Sequence, residues 1–84
     1  MDKLRQNIDN IDDKIMELLI QRLAIVKDIG KLKKTKNIPI EDKSREKIII
    51  DNIEERYLLE PHREFLKSIY NSIFKESKNI QNNY

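Results

Sequence analysis

The stretch LLIQRLAIVKDIGKLK, residues 18–33, decides the fold because its apolar residues recur every three or four positions. The same period extends back to the N-terminus, and Asn37 and Pro39 end it. This spacing predicts a helix of about eight turns with one buried apolar stripe. At ~1.5 Å per residue the helix would run over about 40 Å, so it needs a packing partner along its length. The stripe comprises Leu4, Ile8, Ile11, Ile15, Leu18, Arg22, Ile25, Ile29 and Leu32.

Two shorter helices are predicted to follow. Asp42 and Ser44 are both suitable N-caps for the second helix, and Pro61 suits the first turn of the third, beside Glu60. One face of the second helix carries Glu46, Ile50, Ile53 and Tyr57. One face of the third carries Leu66, Ile69 or Tyr70, Ile73, Ser77, and Ile80 or Gln81. We therefore expect an all-α fold of three helices, one long and two shorter, in a single domain over residues 1–84.

The composition is typical of a small helical domain that gains stability by association. The chain has 84 residues, of which 38% are charged, with one Gly and two Pro. A chain of this length buries only ~60% of its unfolded surface, so its core is thin. It has no Cys for disulfides and a single His, which argues against a structural metal site. Oligomerisation is the remaining route to a larger buried surface.

Charge and hydropathy limit where the protein can be located in the cell and which partners it can bind. The longest apolar run falls far short of the ~20 residues of a membrane span, and the charged N-terminus has no signal-peptide core. We expect a soluble cytoplasmic protein that does not bind membranes. The 17 basic and 15 acidic residues give a net charge of +2, and 6% of the chain is aromatic. Because the basic residues form no single patch, nucleic acid is a poor candidate partner.

Arg22 interrupts the apolar stripe, and two explanations are open. Its side chain could leave a helical seam toward solvent or fix the register of that seam. Other polar residues also lie on apolar helix faces, which favours a binding role. They are Lys33, Glu46, Ser77 and Gln81. The chain has twelve Lys and only five Arg, and Arg grips a carboxylate with two parallel hydrogen bonds, so we expect a pocket for a small dianion. Taken singly, Arg45 and Arg5 are more readily explained by surface ion pairs, for instance Arg5 with Asp9.

Four sequence features carry a resemblance to a known family. They are LRxxIxxIDxxIxxLLxxR at 4–22, Lys33 with Pro39, DxxRE at 42–46 and SxxxQ at 77–81. Together they closely resemble the all-helical, bacterial-type chorismate mutases, over nearly the whole chain. The resemblance implies a monofunctional isomerase of the shikimate pathway, which rearranges chorismate to prephenate on the route to Phe and Tyr. This intramolecular Claisen step needs no nucleophile, metal or general base, so we expect no metal and no other cofactor.

The resemblance implies a catalytic role for four of the matched residues. Arg22 would grip a substrate carboxylate, and Lys33 would contact a carboxylate and the ether oxygen. Gln81 would donate a hydrogen bond to the ether oxygen from the other side. Glu46 would accept one from the ring hydroxyl of the substrate. These groups would hold the substrate in a compact diaxial shape and stabilise the breaking bond.

The remaining matched residues would bind substrate. Asp42 would help Glu46 through its backbone, Arg45 would line the pocket, and Ser77 would contact the ring carboxylate. The resemblance assigns the second carboxylate to Arg5 of a partner chain. Independently, Arg5 and Arg22 are 17 positions apart, which is ~25 Å along one helix, so a ligand of this size cannot touch both in one chain. We therefore expect an intertwined homodimer with two shared sites.

Other functions remain open at this point. One is an isochorismate–pyruvate lyase on the same scaffold, although the complete set with Gln81 and DxxRE favours the mutase. Another is a non-catalytic helical homodimer, in which the stripe is only a seam and a chorismate analogue causes no thermal shift. Gly30, inside the first helix, could permit close approach of a chain or ligand, or could simply be tolerated.

Overall fold

The computed structural model describes residues 1–83 and has three helices. Helix α1 spans Asp2–Thr35 and α2 spans Lys43–Arg56. Helix α3 spans Glu60–Asn82 and has Pro61 in its first turn, as the sequence predicted. The all-α class and the long first helix are confirmed, and the body measures 51 × 26 × 15 Å. Within the described residues no helix has the length and apolar character needed to cross a membrane.

Local capping explains where α1 ends and where α2 begins. Asn37 adopts a left-handed φ of 55°, and two backbone N–H groups after the helix donate to the carbonyl oxygens of Lys33 and Lys34, at 2.8 and 3.3 Å. These bonds form a Schellman motif, which terminates a helix. Of the two candidate N-caps of α2, Asp42 is the one used. Its carboxylate accepts a hydrogen bond from the backbone N–H of Arg45 at 3.0 Å.

Helix α3 is the centre of the fold because it packs against both α1 and α2. Each helix contributes one apolar residue to the core, namely Val26, Ile53 and Phe74. The rings of Tyr70 and Phe74 lie 5.8 Å apart in a tilted arrangement. Ile69 is 45% exposed, so Tyr70 is the member of this pair that turns inward.

The apolar stripe of α1 is not buried within one chain, in contrast to the expectation of a buried stripe. Leu4 is 68% exposed, Ile11 is 54% exposed, and Ile25, in the second half of the helix, is 59% exposed. Helix α1 packs on α3 through the neighbouring face instead, centred on Val26 and Gly30. The reason is that Gly30 allows the backbone of α3 to come close on that face.

Candidate active site

The three helices enclose a cavity of about 450 Å³ between the second half of α1, the start of α2 and the last turns of α3. Seven of the eight residues proposed from the sequence line it. They are Arg22, Lys33, Asp42, Arg45, Glu46, Ser77 and Gln81. The apolar lining residues are Ile25, Val26, Ile29, Ile40, Ile49 and Phe74. The fold therefore gathers polar groups from all three helices into a cavity with apolar walls.

Arg22 lies where α1 and α3 face each other across the cavity. Its guanidinium donates a hydrogen bond to the Ser77 hydroxyl at 2.6 Å. Among residues 1–83, no carboxylate pairs with Arg22. Because one hydroxyl satisfies only part of the five-donor guanidinium, the other N–H groups are available to a ligand.

Lys33 is oriented by the turn between α1 and α2. The Schellman motif reverses the chain at Asn37, and this brings the Ile40 carbonyl oxygen to 2.9 Å from the Lys33 ammonium. Lys33 and Arg22 thus both rest on neutral oxygen acceptors. An incoming carboxylate can replace such an acceptor without separating an ion pair, and the new bond is the stronger one.

Gln81 is buried at 7% exposure and lies where α3 crosses α1. A Cβ atom added to Gly30 would lie 3.2 Å from Gln81 Cα and 3.0 Å from Gln81 Cγ. Of the two explanations for Gly30, close approach of another segment is therefore correct. The side chain of Gln81 forms no hydrogen bond with the described residues. Its amide is thus held in place by packing and remains free to bond a ligand.

The sequence did not single out Lys78, although it lies in the cavity wall beside Glu46. Its ammonium is 3.5 Å from the Glu46 carboxylate and 3.1 Å from that of Glu41. The hydrogen bond with Glu41 raises the pKa of Lys78, and the same bond lowers the pKa of Glu41. The sequence carries no signal for this role, since Lys78 is one of twelve Lys and no pattern sets it apart.

Arg5 is the one proposed residue that does not line the cavity. It lies in the first turns of α1 and is exposed. Its possible surface pair with Asp9 is not formed in the described part of the chain. The cavity in one chain therefore contains every proposed group except the one that was assigned to a partner chain.

Comparison with known proteins gives a consistent result. Residues 4–82 match the chorismate mutase type II family. The chain is 34% identical over 85 residues to a chorismate mutase of Methanocaldococcus jannaschii, which covers 98% of this chain and 84% of that protein. It is 41% identical over 51 residues to a bifunctional chorismate mutase/prephenate dehydratase of Aquifex aeolicus, which covers 61% of this chain and 14% of that protein. The chain therefore belongs to the chorismate mutase type II family, and its activity is that of a chorismate mutase in aromatic amino acid biosynthesis.

Proposed function

We propose that the cavity binds chorismate as a dianion and accelerates its rearrangement to prephenate by conformational selection and hydrogen bonding. The observation that carries this mechanism is the convergence of Arg22, Lys33, Glu46 and Gln81 on one cavity. An intramolecular Claisen step requires a compact diaxial substrate and stabilisation of the ether oxygen as its bond breaks. An acceleration of about 10⁶-fold corresponds to ~8 kcal/mol, which a few desolvated donors can supply.

The cationic groups bind the carboxylates in this mechanism. Arg22 retains Ser77 as a neighbour and directs its free N–H groups to one carboxylate. Lys33 exchanges the Ile40 carbonyl for a substrate carboxylate and the ether oxygen. The Gln81 amide donates to the ether oxygen from the other side. The side chain is packed in the cavity wall, which fixes the direction of that bond.

The start of α2 binds the other end of the substrate. Glu46 accepts a hydrogen bond from the ring hydroxyl, assisted by the backbone at Asp42, and Arg45 lines the pocket. Ser77 contacts the ring carboxylate. Because the Asp42 side chain caps α2, its carboxylate is occupied and only its backbone is left for the ligand. We also propose that the chain is a single catalytic domain and that it acts in the cytoplasm.

A second copy of the chain is the proposed partner of the exposed stripe of α1. The stripe positions are symmetric about a point between Met16 and Glu17, so an antiparallel two-fold pairing of two α1 helices places stripe against stripe. The opposed positions are Leu4 with Ile29, Ile8 with Ile25, Ile11 with Arg22, and Ile15 with Leu18. In this register Arg5 lies opposite the midpoint between Arg22 and Lys33 of the other chain. The missing cation of each site would thus come from the partner.

The surface beside the stripe supports the same pairing. An apolar groove of about 420 Å³ runs between α1 and α3 and is lined mainly by aliphatic residues such as Leu19, Leu23 and Ile73. Of the proposed substrate contacts it contains Arg22 and Ser77, but not Lys33, Glu46 or Gln81. The groove is therefore suited to an apolar protein surface and not to a small dianion.

A mixed dimer tests the shared site. Arg5→Ala and Lys33→Ala should each be nearly inactive as homodimers. After exchange of subunits, each mixed dimer rebuilds one site entirely from wild-type residues, so the mixture should recover roughly a quarter of wild-type activity. Chorismate consumption is followed by absorbance, with isochorismate as control substrate. No recovery after verified exchange would show that Arg5 does not act across the interface.

A pH profile tests the role of Gln81. In Gln81→Glu a carboxylate can accept but not donate a hydrogen bond, whereas the protonated acid can donate. The variant should lose most of its kcat/KM near pH 8 and regain part of it on acidification, while the wild-type profile lacks this recovery. The comparison runs from about pH 4.5 to 8.5, with helicity checked at both ends. Parallel profiles would show that Gln81 does not contact the breaking bond.

A further inference from the structure

Glu46 poses an electrostatic difficulty for a cavity that binds a dianion. Arg22, Lys33 and Arg45 line the same cavity, and each of these cations attracts the Glu46 carboxylate as well as a substrate carboxylate. A pair between Glu46 and one of them would occupy that cation before the substrate arrives. In the described part of the chain Glu46 pairs with none of the three.

The partner of Glu46 is Lys78, which reaches it from α3. The ammonium lies between two carboxylates, 3.5 Å from Glu46 Oε2 and 3.1 Å from Glu41 Oε1. The side chains of Lys78 and Glu46 are 32% and 28% exposed, so this pair lies at the partly screened wall of the cavity. Glu41 precedes the N-cap Asp42, and Glu46 belongs to the first turn of α2. Lys78 therefore has one partner outside the proposed substrate contacts and one within them.

We propose that Lys78 is a positioning residue that keeps Glu46 paired and thereby leaves Arg22 and Lys33 free for the substrate carboxylates. Arg22 and Lys33 rest on neutral oxygen atoms, as this arrangement requires. With Lys78 included, four cationic and two anionic side chains of one chain line the cavity, a formal charge of +2 that suits an anionic ligand, and Arg5 of a second copy would add one positive charge. The inference rests on the proposed binding roles of Arg22, Lys33 and Glu46.

Kinetics of Lys78→Met give the first test. Released from Lys78, Glu46 should turn to a cavity cation, so KM for chorismate should rise about tenfold. The value of kcat should stay within about twofold, because the competing pair opposes binding of the ground state and of the transition state alike. Lys78→Arg keeps the charge and should restore KM to within about threefold of wild type. Lys75→Met, an equal charge change at an exposed site one turn earlier, should leave KM unchanged. Equal KM values in wild type and Lys78→Met would overturn the proposal.

The decisive variant is the double replacement Glu46→Gln with Lys78→Met. Since Gln cannot form an ion pair, removal of Lys78 should have almost no further effect in this background, and KM should match that of Glu46→Gln alone. Independent effects that multiply would show that Lys78 does not act through Glu46. Failure of the proposed binding role of Glu46 looks different: Glu46→Gln alone would then have wild-type kinetics.

Glu41→Gln separates positioning from simple bracing of α2 against α3. It removes the shorter ion pair of Lys78 and leaves the pair with Glu46. Wild-type KM in this variant supports the positioning role. If Glu41→Gln raises KM as much as Lys78→Met does, then Lys78 only ties the two helices together and the proposal is wrong. Circular dichroism of each variant shows whether the helices are intact.

Discussion

The two halves of α1 have one sequence pattern but different surroundings. In the first half, stripe residues such as Leu4 and Ile15 are 68% and 47% exposed in the single chain. In the second half, Val26 and Gly30 are buried against α3, and Arg22 and Lys33 face the cavity. A helical period shows that one face is apolar, but it does not say which surface covers that face. The second half is covered within the chain on the face of Val26 and Gly30, whereas the stripe itself, Ile25 and Ile29 included, depends on the proposed second copy.

Arg22→Ala should have the largest effect and tests the second half of the helix. Loss of the guanidinium removes the proposed contact to a substrate carboxylate, so kcat/KM should fall about a thousandfold, or ~4 kcal/mol. Among residues 1–83 only the bond to Ser77 is lost, so helicity should be retained. Arg56→Ala, at the end of α2 and outside the 450 Å³ cavity, should keep its activity. Retained activity with a changed melting temperature in Arg22→Ala would favour a register role instead.

Ile15→Asp tests the first half of the helix. Ile15 lies near the proposed two-fold axis, where two new carboxylates would face each other and the opposing Leu18 residues. Sedimentation should show monomers at micromolar concentration, and activity should fall about a hundredfold because Arg5 no longer reaches the second site. Asn10→Asp adds the same charge on the polar face and should remain dimeric and active. A fully active monomeric Ile15→Asp protein would show that activity does not depend on a second copy bound to the first half of α1.

Much of the fold could be predicted because the deciding signals are local. Asn37 ends α1 through its left-handed backbone, and Pro61 begins α3, both as the sequence indicated. The choice between Asp42 and Ser44 could not be made, since either side chain can cap a helix and the turn geometry decides. The face of α1 that packs on α3 lies beside the predicted stripe, and local sequence could not indicate this either. The close crossing at Gly30 depends on how two helices meet.

The residues that line the candidate cavity could be predicted where a residue type was out of place. A cation such as Arg22 in an apolar stripe, or an amide such as Gln81 near a helix end, stands out against its neighbours. Lys78 did not, because a Lys among many charged residues has no distinctive pattern. Its importance comes from the placement of α2 against α3, which brings Glu41 and Glu46 to its ammonium. Such a relation appears only in three dimensions.

Gly30→Ala should have an intermediate effect and tests the close packing of the second half of α1 against α3. The added methyl group would meet Gln81 at 3.0–3.2 Å, so α3 must shift by some tenths of an ångström and the amide with it. We expect kcat to fall about tenfold with little change in KM, since the Gln81 contact strengthens in the transition state. Stability should change little, because the gain of ~1 kcal/mol in helix propensity offsets the strain. Lys31→Ala, exposed in the same part of α1 and outside the cavity, is the control. An unchanged kcat in Gly30→Ala would mean that the crossing tolerates movement.

The smallest expected effect is that of pH on the stability of the α2–α3 side. Hydrogen bonds to Glu41 and Glu54 raise the pKa of Lys78 and of Lys67, and the bond to Lys78 lowers the pKa of Glu41. The Lys contributions are fully present below the unfolded pKa of 10.5 and are lost as pH rises through the folded pKa. The Glu41 contribution is present above 4.5 and is lost as pH falls through the folded pKa. Calorimetry should find a constant melting temperature between about pH 5.5 and 9.5 and a slight fall outside this range. A clear step near neutral pH would contradict this expectation.

The exposed first half of α1 also affects the life of a newly made chain. This segment leaves the ribosome before α3 has been synthesised, and the finished chain still leaves the stripe uncovered. Nascent chains therefore carry an apolar ridge until the proposed second copy covers it, and an uncovered ridge carries a risk of aggregation. Charged residues such as Asp9, Asp12 and Lys14 lie between the stripe positions. Interspersed charges of this kind act as gatekeepers against β-type aggregation. The polar face of the helix would thus protect the chain in the interval between synthesis and the proposed assembly.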